Sequence, residues 1–180
     1  MPRTTLFLPL LAVALSACST SPPAPEGEVA QLAATEERNV GEWSLPGDQS
    51  RPAIEGYDPV AYFPEGGGAA QKGSPAIALN YGGVLYYFAS AMNRDRFQAN
   101  PSRYEPAHGG WCSWAMRDGT KTEINPKSFI VRDGRLFLFY DGLWGDTRAL
   151  WLETDHGTST DAADGQWQSV SGEEPRRGDR

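Results

Sequence analysis

Histidine and cysteine are scarce, with two of each in 180 residues. With only two cysteines there is no four-cysteine cage and no multi-bridge disulfide framework, and His108 and His156 are too far apart in sequence to form a paired-histidine metal motif. No Ser-His-Asp pattern and no cofactor fingerprint is visible either. Basic residues are also outnumbered: 16 Lys and Arg stand against 23 Asp and Glu, for a net charge of −7, which excludes the basic face that nucleic-acid binding requires. Neither an internal repeat nor a Gly-rich phosphate loop stands out. The longest apolar run, Leu6 to Leu15, is too short to serve as a stable bilayer span.

That run is instead part of an export signal over residues 1–17. Arg3 supplies the positive region, and Leu15-Ser16-Ala17-Cys18 a small-residue cleavage site. The tetrapeptide resembles the bacterial lipobox, which implies that Cys18 becomes the lipid-modified first residue and the membrane anchor. Several acyl chains on one residue make attachment durable where a single chain does not. Ser19 after the cysteine implies the outer membrane, with the protein facing the periplasm. Removal of the signal deletes only Arg3 among the charged residues, so the remainder is one unit more acidic.

Residues 18–50 are rich in Pro, Ala, Gly and Glu and read as a tether, with a short helix expected around Val29–Arg38 and Trp43 as a side chain able to dock on the domain. The aromatic content places one domain at 51–168: all seven tyrosines lie between Tyr57 and Tyr140, and five of the six tryptophans at or beyond Trp111. Residues 169–180 read as a disordered tail.

Inside the domain, Gly82-Gly83 separates two apolar runs and Asp133-Gly134 two more, which predicts two hairpins. Ser90 is placed to cap a helix that Asn100-Pro101 ends. Short helices are expected over Thr147–Thr154, with Ala149, Leu150 and Trp151 inward, and over Asp161–Trp167. Asp58-Pro59 marks a turn held by the aspartate side chain. Strands and helices segregate instead of alternating, so the fold class is α+β: one small antiparallel sheet of two hairpins packed with three or four short helices.

Cys112 is the cysteine left free, and a lone thiol in an oxidising compartment calls for a reason: burial, ligation or redox reactivity. His108, Cys112 and Met116 recur at four-residue intervals, so if 108–117 is helical they share one face and form a soft ligand set suited to copper or to an axial haem position. Trp111 and Trp114 flank the thiol and either wall a flat ligand or fill core. His156 is expected at the surface.

Taken together, Gly56-Tyr57-Asp58-Pro59-Val60-Ala61-Tyr62, Tyr81-Gly82-Gly83, Tyr87-Phe88-Ala89-Ser90, Asn93-Arg94, Phe97, Pro101, Tyr104, Pro106, Gly109-Gly110 with Cys112, Asn125-Pro126, Asp133-Gly134 and Ala163-Asp164 with Trp167 resemble the YHS-domain family, in its exported single-domain bacterial branch. The metal-associated form of that family carries cysteines at the positions of Ala61, Ala89 and Asn93, so its metal function is not implied for this chain. The reading is of an envelope-tethered, non-catalytic binding module whose site near Cys112 takes a metal ion or small cofactor. A redox enzyme using Cys112, or an interaction lipoprotein with no small-molecule site, is the alternative.

Overall fold

A computed structural model describes residues 1, 29–34, 38–45 and 51–176. The fold is α+β. Strand β1 (Ala30–Leu32) leads through a 3-10 turn at Val40–Glu42 to a second such turn at Ala53–Gly56. The first hairpin follows, β2 (Ser74–Tyr81) and β3 (Val84–Phe88), then helices α1 (Ala91–Ala99) and α2 (Pro101–Tyr104). A turn at Ala107–Gly110 and the single-turn helix α3 (Ser113–Met116) precede the second hairpin, β4 (Asn125–Arg132) and β5 (Arg135–Phe139). The two-residue strands β6 (Asp141–Gly142) and β7 (Gly145–Asp146), then α4 (Thr147–Leu152) and α5 (His156–Ser171), complete the order.

The hairpins do not join into the one sheet that the sequence leads one to expect. β2 pairs with β3 on one side and in parallel with β1 on the other, β4 pairs with β5, and β6 with β7. The two large hairpins meet through side chains: Val84, Tyr86 and Phe88 share one apolar core with Leu136 and Leu138. β5 is buried on both faces, because Phe137 and Phe139 pack the opposite way against Trp151 and Ala107, and its sequence accordingly reads as an unbroken apolar run. Phe97 of α1 is the hub of the larger core, with its ring centroid 4.7–5.9 Å from those of Tyr81, Tyr86 and Phe88.

Local signals explain the element ends. Ser90 Oγ accepts the Asn93 N–H at 3.1 Å, and Asn100 closes α1 before Pro101 opens α2. Asp146 caps α4 by accepting the N–H groups of Arg148 and Ala149. That cap sets the phase of α4 so that Trp151 faces Phe137 and Phe139, while Ala149 and Leu150, expected inward, face solvent. His156 opens α5 instead of lying free at the surface: its Nδ1 accepts the Trp151 indole N–H at 3.0 Å.

The chain repeats itself, which its letters conceal. Every paired position of the first hairpin recurs 51 residues later in the second, from Ser74↔Phe88 and Ala78↔Tyr87 to Asn125↔Phe139 and Phe129↔Leu138, including the register shift between them. The turns that precede them repeat as well. Pro52 and Pro106 lead into Ile54-Glu55 and His108-Gly109, four residues with φ between 52 and 61°, and Tyr57 N–H and Trp111 N–H close the turns on the carbonyls of Ile54 and His108. The shared sequence is only Pro-Ala-x-x-Gly-aromatic.

The segments on either side of this unit are tied to it. The Glu105 carboxylate, buried at the end of α2, accepts from the Tyr86 hydroxyl at 2.8 Å, from Arg38 and from Arg176 Nε at 2.9 Å. Glu173 in turn accepts the Trp43 indole N–H at 2.9 Å and Arg176 Nη2 at 3.1 Å. The Arg38 guanidinium lies over the rings of Tyr81 and Trp43. Trp43 docks, the stretch expected as a helix forms strand β1, and the expected tail is helix to Ser171, with Glu173 and Arg176 buried beyond it. The burial of these charges depends on their mutual pairing, so removal of one strands the others. Glu105→Ala should therefore destabilise the domain by about 3–5 kcal/mol in urea unfolding; a change below about 1 kcal/mol would show that the latch contributes little.

Candidate functional site

The repeat brings Asp58 and Cys112 to the same place in each half. Asp58 N–H donates to Gln71 O at 2.9 Å, and Cys112 N–H to Thr122 O at 3.0 Å. The Asp58 carboxylate accepts the N–H of Ala89, the residue that leaves β3, at 2.8 Å, and Cys112 Sγ accepts the N–H of Tyr140, the residue that leaves β5, at 3.4 Å. Asp58 further accepts from Val60 N–H, Ala61 N–H and the Asn93 side-chain amide, so it holds its turn as the sequence suggests and anchors α1 as well.

Cys112 is wholly buried and stands at the N-terminal end of α3. Its thiol closes a ring of weak and ordinary hydrogen bonds. Thr147 commits its hydroxyl proton to Tyr140 O at 2.8 Å, which leaves Thr147 Oγ1 to accept the Cys112 S–H at 3.3 Å, while the Tyr140 N–H points at the sulfur. The thiol is therefore engaged as donor and as acceptor.

His108 and Met116 do not join it. The left-handed backbone at His108 and Gly109 breaks the helix that would have aligned the three side chains. Met116 fills the larger core. His108 is fully buried with both ring nitrogens occupied: Nδ1 lies 3.0 Å from Ser113 Oγ and Nε2 2.9 Å from Asp164 Oδ1. A neutral ring that donates from Nε2 to Asp164 and accepts the Ser113 hydroxyl proton at Nδ1 satisfies all three groups. Arg135 grips Asp164 with two parallel hydrogen bonds of 2.7 and 2.9 Å. Ser113 is buried too, so this Ser-His-Asp row is a strut between α5 and the turn, closed to substrate. The fit is tight: a Cβ at Gly109 would stand 2.5 Å from the Trp167 ring. Among the described residues no group of three or more His, Cys, Asp or Glu side chains is arranged to hold a metal ion.

A concave feature among the described residues lies elsewhere. A cleft of about 520 Å³ opens between the repeated turns, lined by Pro52, Ile54, Glu55 and Lys72 of the first half and by Gly110, Trp111, Glu123 and Ile124 of the second, with Ser44, Leu45 and Arg51 as a third wall. Lys72 and Glu123 hold equivalent positions in the two halves. The third wall is fixed by Ser44 N–H to Gly109 O at 2.9 Å and by the Trp111 indole N–H to Glu42 O at 2.6 Å. Ile54 adopts φ 53°, a left-handed conformation in which a β-branched side chain is rarely found, and the strain sits in the cleft wall. Of the residues that the sequence singles out, Trp111 lines this cleft. Trp114 instead packs on the smaller core beneath the Arg117 guanidinium, 4.1 Å from its ring. Ile54 and Glu55 fall at the variable positions of the Pro-Ala-x-x-Gly frame, and Lys72 and Glu123 carry no signal in the sequence.

Burial pushes the His108 pKa below the usual imidazole value despite the opposing pull of Asp164. Burial acts to raise the Asp164 carboxyl, but the hydrogen bonds from His108 and Arg135 outweigh it and bring the value down to about 2. A histidine depressed in the folded state stabilises above its unfolded pKa of about 6.5 and loses that contribution as pH falls. Asp164 adds a second loss between its ordinary value and about 2. Stability in urea should thus be greatest above about pH 6.5 and decline towards acid, and His108→Gln should flatten the decline just below about pH 6.5. An unchanged slope in that variant would mean that His108 does not titrate with unfolding. No protein-family model, no curated protein and no solved structure matches this chain.

Proposed function

We propose that the chain is a non-catalytic binding module of the bacterial cell envelope, anchored by acylation of Cys18 at the periplasmic face of the outer membrane. In this reading the ligand occupies the cleft between the two repeated turns, not the surroundings of Cys112. The observation that carries it is the cleft itself: about 520 Å³ lies in the range of small-molecule sites. Ile54, Ile124, Leu45 and the Trp111 ring offer an apolar wall, and Arg51 and Lys72 share the lining with Glu55 and Glu123. Such a lining suits a small organic molecule with an apolar body and charges of both signs. The lining holds neither histidine nor cysteine.

Membership of the YHS-domain family belongs to the same proposal. The positions of the metal form's cysteines, Ala61, Ala89 and Asn93, all converge on Asp58, which accepts from the backbone of the first two and the side chain of the third. None of the three positions carries a thiol, and their N–H groups all donate to the Asp58 carboxylate, which supports a retained fold with a different ligand. Copper or haem at Cys112 would have to break the ring with Thr147 and Tyr140, and a redox nucleophile there would have to reach solvent from a fully buried position. Cys18 lies outside the described residues, and no helix among those residues is long and apolar enough to cross a membrane.

Palmitate fed to the native host should label the protein, and Cys18→Ala should remove the label; an unlabelled wild type would end the lipoprotein reading. Native mass spectrometry of protein from that host should show a small-molecule adduct that is lost in Trp111→Ala and kept in Cys112→Ser. Loss from Cys112→Ser alone, or a metal or haem signal that follows the thiol, would return the site to Cys112.

A further inference from the structure

Leu143 and Trp144 are 97% and 91% exposed, the most exposed large apolar side chains of the described domain. Each of the other five tryptophans is buried or half-buried. The pair forms the two-residue tip between β6 and β7, where Asp141 pairs with Asp146 and Gly142 with Gly145. The base of this hairpin is firmly built. The Trp144 N–H donates to the Tyr140 hydroxyl at 3.3 Å, and a Cβ at Gly142 would meet that hydroxyl at 2.7 Å, so a larger residue there would have to displace the Tyr140 side chain that holds the tip. Thr147 N–H donates to Tyr140 O at 3.0 Å, and Asp146 caps α4, so the far strand is held as well. The base thus presents an indole and an isobutyl group to solvent with no partner among the described residues.

We infer that the Leu143–Trp144 tip is a membrane-contact finger that enters the interfacial zone of a zwitterionic phospholipid bilayer. The inference rests on anchorage at Cys18. The chain from Cys18 to Val29 reaches at most roughly 40 Å even when fully extended, so an anchored domain stays beside the bilayer and a weak contact suffices. The area decides against a protein partner: two such side chains offer on the order of 400 Å², about half of what each partner gives to a standard interface. The chemistry favours lipid, because tryptophan settles at the headgroup level with its ring towards the acyl chains and its N–H towards polar groups, while leucine supplies apolar burial. Charge selects the lipid. Asp141 and Asp146 flank the tip and the chain carries −7 overall, so anionic headgroups repel it.

The test uses the mature chain with Cys18→Ala, which removes acylation and leaves the tip as the membrane contact. Flotation with phosphatidylcholine vesicles should bring up the protein, and Leu143→Ser with Trp144→Ser should reduce partitioning at least about tenfold while leaving the urea midpoint unchanged. Phosphatidylglycerol added to the vesicles should weaken the binding. Partitioning that is absent, or equal in the double variant, overturns the finger, as does a concentration-dependent dimer that the double variant abolishes. Palmitate label without tip-dependent flotation would overturn the finger alone. Tip-dependent flotation without palmitate label would overturn the anchorage alone.

Discussion

The backbone N–H that leaves each hairpin needs an acceptor inside the protein, and much of the architecture follows from how each half provides one. In the first half the Asp58 carboxylate serves four donors, so one side chain fixes the turn, the end of β3 and, through Asn93, the helix α1. In the second half the equivalent acceptor is the Cys112 sulfur, a weaker partner with a single backbone donor. The missing support comes from another quarter. His108, at the turn, is braced through Asp164 to α5, and Arg135 at the start of β5 completes the strut. A soft acceptor and a hard external brace thus do for the second half what one carboxylate does for the first.

The same contrast explains what was legible in the sequence. Gly82-Gly83, Asp133-Gly134, Ser90, Asn100-Pro101 and Asp58-Pro59 announce themselves because each acts on its immediate neighbours, and the elements they control form where expected. Trp43 was readable as a docking residue because a lone indole in a polar stretch has few other uses. Long-range pairings were not readable. β1 forms because β2 offers it an edge, and the stretch after α5 as far as Arg176 is held because Arg176 finds Glu105 and Glu173, neither of which local sequence can signal. The ligand spacing at His108, Cys112 and Met116 misled because it presumed a helix, whereas the turn takes a left-handed path through His108. The cleft was invisible for a related reason: its lining comes from two turns 54 residues apart, and their kinship lies in backbone angles more than in letters.

The third wall of the cleft belongs to the segment that leads in from the N-terminus. Ser44 and Leu45 stand there because Arg38, Asn39 and Trp43 are clamped by Glu105, Glu173 and the carbonyl of Ser171. The shape of the cleft and the attachment of this arm are consequently one problem: whatever loosens the latch also opens a wall.

The repeat carries a different kind of consequence. In a dimer of two identical chains a substitution appears in both subunits, so equivalent positions facing one cleft must bear the same charge. Two halves joined in one polypeptide escape that rule, and this protein uses the freedom: Lys72 and Glu123 occupy equivalent places with opposite sign, as Asp58 and Cys112 do with different chemistry. Covalent fusion of like halves is what allows equivalent positions of one cleft lining to carry opposite charges.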